Sequence, residues 1–448
     1  MTLLLFFACS TEQNQNIHSI DETTDGIFSN IESRSSSKNE SKRTTIVPSE
    51  WDGYNEPSLI LGEGYESKFS QIPLASHLDK EPWSGYYWAK NKAGIAYRWR
   101  VDQTFNYETY QKEDVFGLSL SDIESLSPAE KYDLLVGNYD WPLTIRALSN
   151  SSPTEADWTG YCHGWAPASL AYEEPKPIIV ENADGIRIPF GSSDIKALLT
   201  YFRAEVVTSQ NTMHDWRTEN KVLGSVCGSA MPTDPSCYDT NPGTFHIILG
   251  NMIAHRNEGF IMDVESTFEK WNQPVFAYDA QILLEREPNE YASNRAVKEY
   301  IIENTVSWTV EIQPTYTPVL HTNRQVVKEQ VYVYSIEVDE QETIIGGQWM
   351  TETEDGNFIP LPLAWEYLTE MDDNEDGQPD FTKHQVAEKI WKYFKIPDYI
   401  WTQSDVEFPV VFEDVHSNYS LIATTNSTRE DLYFYFGQIG DLYQRSLE

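Results

Sequence analysis

At 448 residues, with 40% hydrophobic and 13% aromatic content, the chain carries enough apolar surface for one large domain or two smaller ones. Its 70 acidic residues against 32 basic ones give a formal net charge of -38, a field that repels a phosphate backbone and excludes nucleic-acid binding. The same acidity suits solubility outside the cell or attraction of lysine-rich partners.

The chain opens on MTLLLFFACS, a short apolar run directly before Ala8 and Cys9. A small residue and a cysteine after an apolar stretch is the pattern of a bacterial lipoprotein signal. Residues 1–8 are therefore read as a signal segment, and Cys9 as the lipidated first residue of an exported envelope protein, with plain secretion as the alternative. The run is shorter than a usual signal core, and no Lys or Arg precedes it. No other stretch is long and apolar enough to span a bilayer, so a membrane enters only through the lipid. Residues 9–50 are rich in Ser, Asn, Thr, Glu and Asp and nearly free of aromatics. Such a composition buries too little surface to order itself and reads as a disordered tether.

The folded part is expected to begin near Trp51, with residues 51–310 forming a catalytic region and 311–448 a β-rich C-terminal region. Ser127 and Pro128 supply a capping hydroxyl and a first-turn proline, which predicts a helix over SPAEKYDLLVG. A second helix is predicted after Ser193, where Ile195, Leu198, Leu199, Phe202 and Val206 recur at helical spacing as a core stripe. The apolar run GTFHIILGNMIA, holding His246, reads as a strand after a Gly/Pro turn, and GFIMDVE, holding Asp263, as another. The turn-like AHRNEG between them predicts antiparallel pairing of the two. In VYVYSIEV (residues 331–338), Tyr332, Tyr334, Ile336 and Val338 share one face; DEQE and TIIGGQW then complete a hairpin.

The most informative residue is Cys162, in WTGYCHGWAPASLAY, hemmed by aromatics and glycines just before a helix-forming run. A helix N-terminus favours the thiolate, and a base plus an orienting acid downstream complete the order that papain-type acyl transfer requires. Proline is tolerated in a helix's first turn, so Pro167 sets the expected start near Gly164, with Cys162 at or just before the cap. His246 is the candidate base and Asp263 the candidate acid, with Asn251 and Glu265 as alternatives to the latter. With Cys9 lipidated and Cys162 the nucleophile, Cys227 and Cys237 are left, read as a disulfide pair closing the short loop CGSAMPTDPSC, with two buried free thiols as the alternative. In DDNEDGQPD, Asp372, Asn374, Asp376 and Asp380 stand at ligand positions of an EF-hand-like loop, and Gln378 offers its carbonyl. Lys383 occupies the place of the usual bidentate glutamate, so the expected Ca²⁺ affinity is weak. No organic cofactor is expected.

Taken together, KWNQPVFAYDAQI, PWSGYYW, SPAEKYD, YCHGWAPA, CYDTNPGTFHIIL and IIGGQW resemble, in consistent order, the transglutaminase elicitors, cell-wall proteins of oomycetes with bacterial relatives. The resemblance implies an α+β fold with a papain/transglutaminase-like catalytic arrangement. It also implies a calcium-responsive transamidase that uses Cys162, His246 and Asp263 as nucleophile, base and acid. Its substrates would be proteins with accessible glutamine and lysine. Competing readings are a cysteine peptidase or glutamine deamidase, which share the thioester step, and a non-enzymatic surface protein that binds calcium.

Overall fold

Local capping decides where the helix after Ser127 begins. Ser127 accepts a hydrogen bond from the Glu130 amide while the Glu130 carboxylate accepts from the Ser127 amide, so helix α1 (Pro128–Leu135) starts at its proline as expected. Helices α2 (Pro142–Ser149), α3 (Cys162–Ala171) and α4 (Ser192–Tyr201) follow, the last running into a wider π-helical segment, Phe202–Val207. The stripe Ile195, Leu198, Leu199, Phe202 and Val206 is buried in one core, as its spacing predicts. This computed structural model describes residues 49–207, 220–225, 238–264, 270–352, 357–361, 396–403, 407–409 and 429–448.

Helix α3 starts earlier than expected, at Cys162 itself, and carries Pro167 in its interior. Tertiary packing overrides the local preference here. At Gly164 the helix presses so closely on α4 that an added Cβ would lie 2.2 Å from the Thr200 carbonyl oxygen and 2.9 Å from the Ala204 amide nitrogen. Both are backbone atoms and cannot swing away. Gly164→Ala is therefore expected to cost about 3 kcal/mol by overpacking, read as a lower urea midpoint; an unchanged midpoint would refute this close crossing.

Against these helices lies an eight-stranded sheet. Its strands are β1 (Ala75–His77), β2 (Asn220–Gly224), β3 (Phe260–Asp263), β4 (Asn272–Arg286), β5 (Lys298–Thr309), β6 (Val327–Val338), β7 (Ile344–Gly346) and β8 (Tyr399–Gln403). The order is β2-β8-β3-β4-β5-β6-β7, with β1 paired to β4. The expected hairpin is present: β6 pairs antiparallel with β7, and Tyr332, Tyr334, Ile336 and Val338 are all buried on one side. The expected division at residue 311 does not separate two units, because β6, β7 and β8 share this sheet with β2 to β5. Strand β8 lies between β2 and β3, antiparallel to both.

The sheet separates two cores, and strand alternation assigns side chains between them. On β3, Ile261 joins the core of α3 and α4, whereas Phe260 and Met262 join the other. Strand β8 repeats the pattern, with Trp401 on the α3 side and Ile400 opposite. Helix α5 (Pro242–Ile248) contributes Phe245, Ile247 and Ile248 to the second core. The architecture is α+β, a mixed fold of helices and antiparallel strands. Among the described residues no helix is long and apolar enough to cross a membrane.

Candidate active site around Cys162

Cys162 is fully buried at the start of α3, where the helix end would favour a thiolate once the sulfur is free. The sulfur is not free: Cys162 is disulfide-bonded. It is the one cysteine among the described residues, so its partner lies outside them. This corrects the expectation of a free thiol. Cys227 and Cys237, the expected pair, also lie outside the described residues, as do Cys9 and the calcium-loop residues Asp372, Asn374, Asp376, Gln378 and Asp380.

Asp263 reaches the same face of the sheet as Cys162. It is fully buried, and its Oδ1 accepts a hydrogen bond of 2.8 Å from the Trp271 amide. In register it faces Asn272 on β4 rather than any residue near His246. Asn272 Nδ2 stands 3.7 Å from Cys162 Sγ, and the Lys270 carbonyl oxygen 3.9 Å from it. The Asn272 amide is held at its other end, where Oδ1 accepts 2.8 Å from the Trp401 indole and 3.1 Å from the Tyr399 hydroxyl. Asn272 lies within the WNQPV run, yet its part in the site was not foreseen. The contact depends on β8, more than a hundred residues away in sequence, and no local signal announces it.

His246 is not brought to Cys162. The run around it forms helix α5, not a strand, because Asn241 caps the backbone amides of Gly243 and Thr244 while Pro242 takes the first helical position. The Asn-Pro pair was the signal of a helix start. His246 sits in the second core, across the sheet from Cys162. The Asn304 amide donates to the Tyr334 hydroxyl at 2.9 Å, and that hydroxyl shares a hydrogen bond of 3.0 Å with His246 Nδ1. Asn251, an alternative acid-site residue, instead clamps the backbone of Glu66; Glu265 lies outside the described residues. Trp165 is core, fully buried, and Trp158 is partly exposed.

Burial lowers the His246 pKa to about 4 and the His163 pKa to about 3, the latter with help from Lys90 and Lys270. For His246 the folded value lies below the unfolded one, so its contribution is complete above about pH 6.5 and is lost as pH falls toward 4. His246→Gln should flatten the acid side of the stability profile in that window by roughly 3 kcal/mol and leave catalytic rates within about threefold. Urea titrations at several pH values and a rate assay check both; a rate loss of 100-fold or more without unfolding would return His246 to the reaction. Burial and then the carboxylates of Asp239 and Asp263 push the Asp398 carboxyl well above its usual range. Among the described residues no group of three or more His, Cys, Asp or Glu side chains is arranged to hold a metal ion.

Comparison with known proteins agrees with this architecture. The chain is similar to the crystal structure of the GP42 transglutaminase from Phytophthora sojae, at 18% identity and a TM-score of 0.50, over 84% of this chain and 98% of that one. At that identity the likeness concerns the fold alone. No curated protein matches the chain. The family model described as transglutaminase elicitor matches residues 143–368, which is just over half of the chain and holds Cys162, Asp263 and Asn272. The chain belongs to the transglutaminase elicitor family.

Proposed function

We propose that the chain is a protein-glutamine γ-glutamyltransferase that works through Cys162 and is held latent while that sulfur is in a disulfide. The observation that carries this reading is a buried cysteine at the first turn of a ten-residue helix, with an oriented amide 3.7 Å from its sulfur. After reduction, the thiolate attacks the side-chain carbonyl carbon of a substrate glutamine. The tetrahedral adduct collapses, the C–N bond breaks, and the nitrogen takes a proton from water and leaves as ammonia; the hydroxide so formed takes the proton that the lysine amine loses in the next step. A lysine amine then attacks the thioester, expels the thiolate and leaves an isopeptide bond. Asp263 serves here as a buried acid that fixes the Trp271 amide, and with it the entry of the chain into β4.

Calcium, taken weakly by the 372–380 loop, is part of the proposal as an activator, and a lipid on Cys9 as the anchor of an exported protein. The test follows incorporation of a fluorescent primary amine into a glutamine-rich protein, with and without Ca²⁺ and reductant, while ammonia is measured in parallel. Incorporation matched by ammonia supports transamidation. Ammonia without incorporation makes water the acceptor and the chain a deamidase. Neither signal under reducing conditions with calcium leaves a non-enzymatic surface protein.

A further inference from the structure

The buried amide of Asn272 has an orientation that packing alone does not require. A side-chain amide can be turned end for end, and only its partners decide which end faces where. Here two donors decide. The Trp401 indole can only donate, and it does so to Oδ1 at 2.8 Å; the Tyr399 hydroxyl adds a second bond to the same oxygen at 3.1 Å. The NH₂ end is thereby committed to Cys162 Sγ, at 3.7 Å. Three strands cooperate in this. Asn272 begins β4, Trp401 and Tyr399 come from β8, and β3 lies between them in the sheet.

We propose that Asn272 Nδ2 is an oxyanion donor of the acyl-transfer site, with Trp401 and Tyr399 as the positioning residues that aim it. This rests on the reading of Cys162 as the nucleophile. When an acyl carbon is bonded to Sγ, its oxygen stands roughly 2.7 Å from the sulfur, so a donor on that side of the sulfur reaches it at hydrogen-bond distance. The bond that forms is Sγ–C; the carbonyl π pair moves onto oxygen and returns when the C–N bond breaks, so the donor meets charge that exists only in the adduct. An amide locked by two hydrogen bonds needs no reorganisation at that moment, which is the condition under which such donors act most strongly.

The test uses the full-length protein after reduction. Asn272→Asp keeps the size and the acceptor toward Trp401 and removes the donor; kcat should fall about 10²- to 10³-fold with KM within about threefold. Trp401→Phe keeps the packing and loosens the aim, and should lower kcat about three- to tenfold. Alkylation of Cys162 by iodoacetamide as a function of pH is followed in both variants, because a lost donor moves the thiol's titration midpoint upward whether or not the protein turns over substrate. Folded Asn272→Asp with kcat within threefold of the wild type overturns the inference. If that variant does not fold, Trp401→Phe decides: a lowered kcat at constant KM supports the inference and an unchanged kcat overturns it. A wild type without amine incorporation or ammonia release defeats the functional reading instead. Asn272 is then judged by alkylation alone, where an unshifted midpoint overturns its donor role.

Discussion

Cys162→Ala is expected to lower amine incorporation by about 10⁴-fold or more, to the level left by binding and electrostatic contacts alone. No neighbouring group replaces a thiolate that must form and release a covalent bond, so the loss should fall on kcat. The substitution also opens a disulfide, and a lost bridge commonly costs about 2 to 5 kcal/mol. The comparison therefore belongs under reducing conditions, where the wild type is unbridged as well and any stability difference reflects only the buried side chain. Measured that way, a variant that melts with the wild type and incorporates no amine isolates the chemistry. A variant that keeps a tenth of the wild-type rate would remove Cys162 from the reaction.

The second large effect concerns the redox state. A sulfur in a disulfide is neither nucleophile nor thiolate, so the protein as folded with its bridge intact should be silent. Titration with a thiol reductant should raise amine incorporation from background to full rate. Iodoacetamide labelling of the peptide carrying Cys162 should appear at the same reductant concentration. With the Cys9 sulfur taken by the proposed lipid, mass spectrometry of the unreduced protein would decide between Cys227 and Cys237 as the partner. Full activity in protein whose Cys162 remains bridged would contradict this account.

Parts of the fold that depend on short-range rules were legible in the chain. The start of α1 followed from Ser127 and Pro128, a capping hydroxyl directly before a first-turn proline. The β6–β7 hairpin followed from alternation and a polar turn. The stripe on α4 followed from its period, because a buried face needs nothing beyond apolar spacing. His246 was misread where two local signals competed: an apolar run suited a strand, and the Asn241-Pro242 start won because a capped first turn commits the backbone before the run begins.

The site was legible only in part. Cys162 stood out by its aromatic and glycine surroundings, and Asp263 by its place in a strand pattern. That both reach one face of the sheet, with His246 on the other, depends on pairing: Asp263 faces Asn272, and β8 enters from residue 399 onward to lie beside β3. Asn272 gains its part from those long-range pairings, which no window of sequence contains. The boundary expected at residue 311 failed for the same reason, since the strands after it complete a sheet begun before it.

The measurement that bears most directly on the central claim is capture of the acyl-enzyme. Reduced protein is mixed with a glutamine-containing peptide in the absence of amine, quenched in acid, digested and weighed. The account predicts that the fragment carrying Cys162 gains the mass of the peptide less one ammonia, and that added lysine amine discharges the adduct. Amine incorporation that proceeds while Cys162 never carries such an adduct would contradict it.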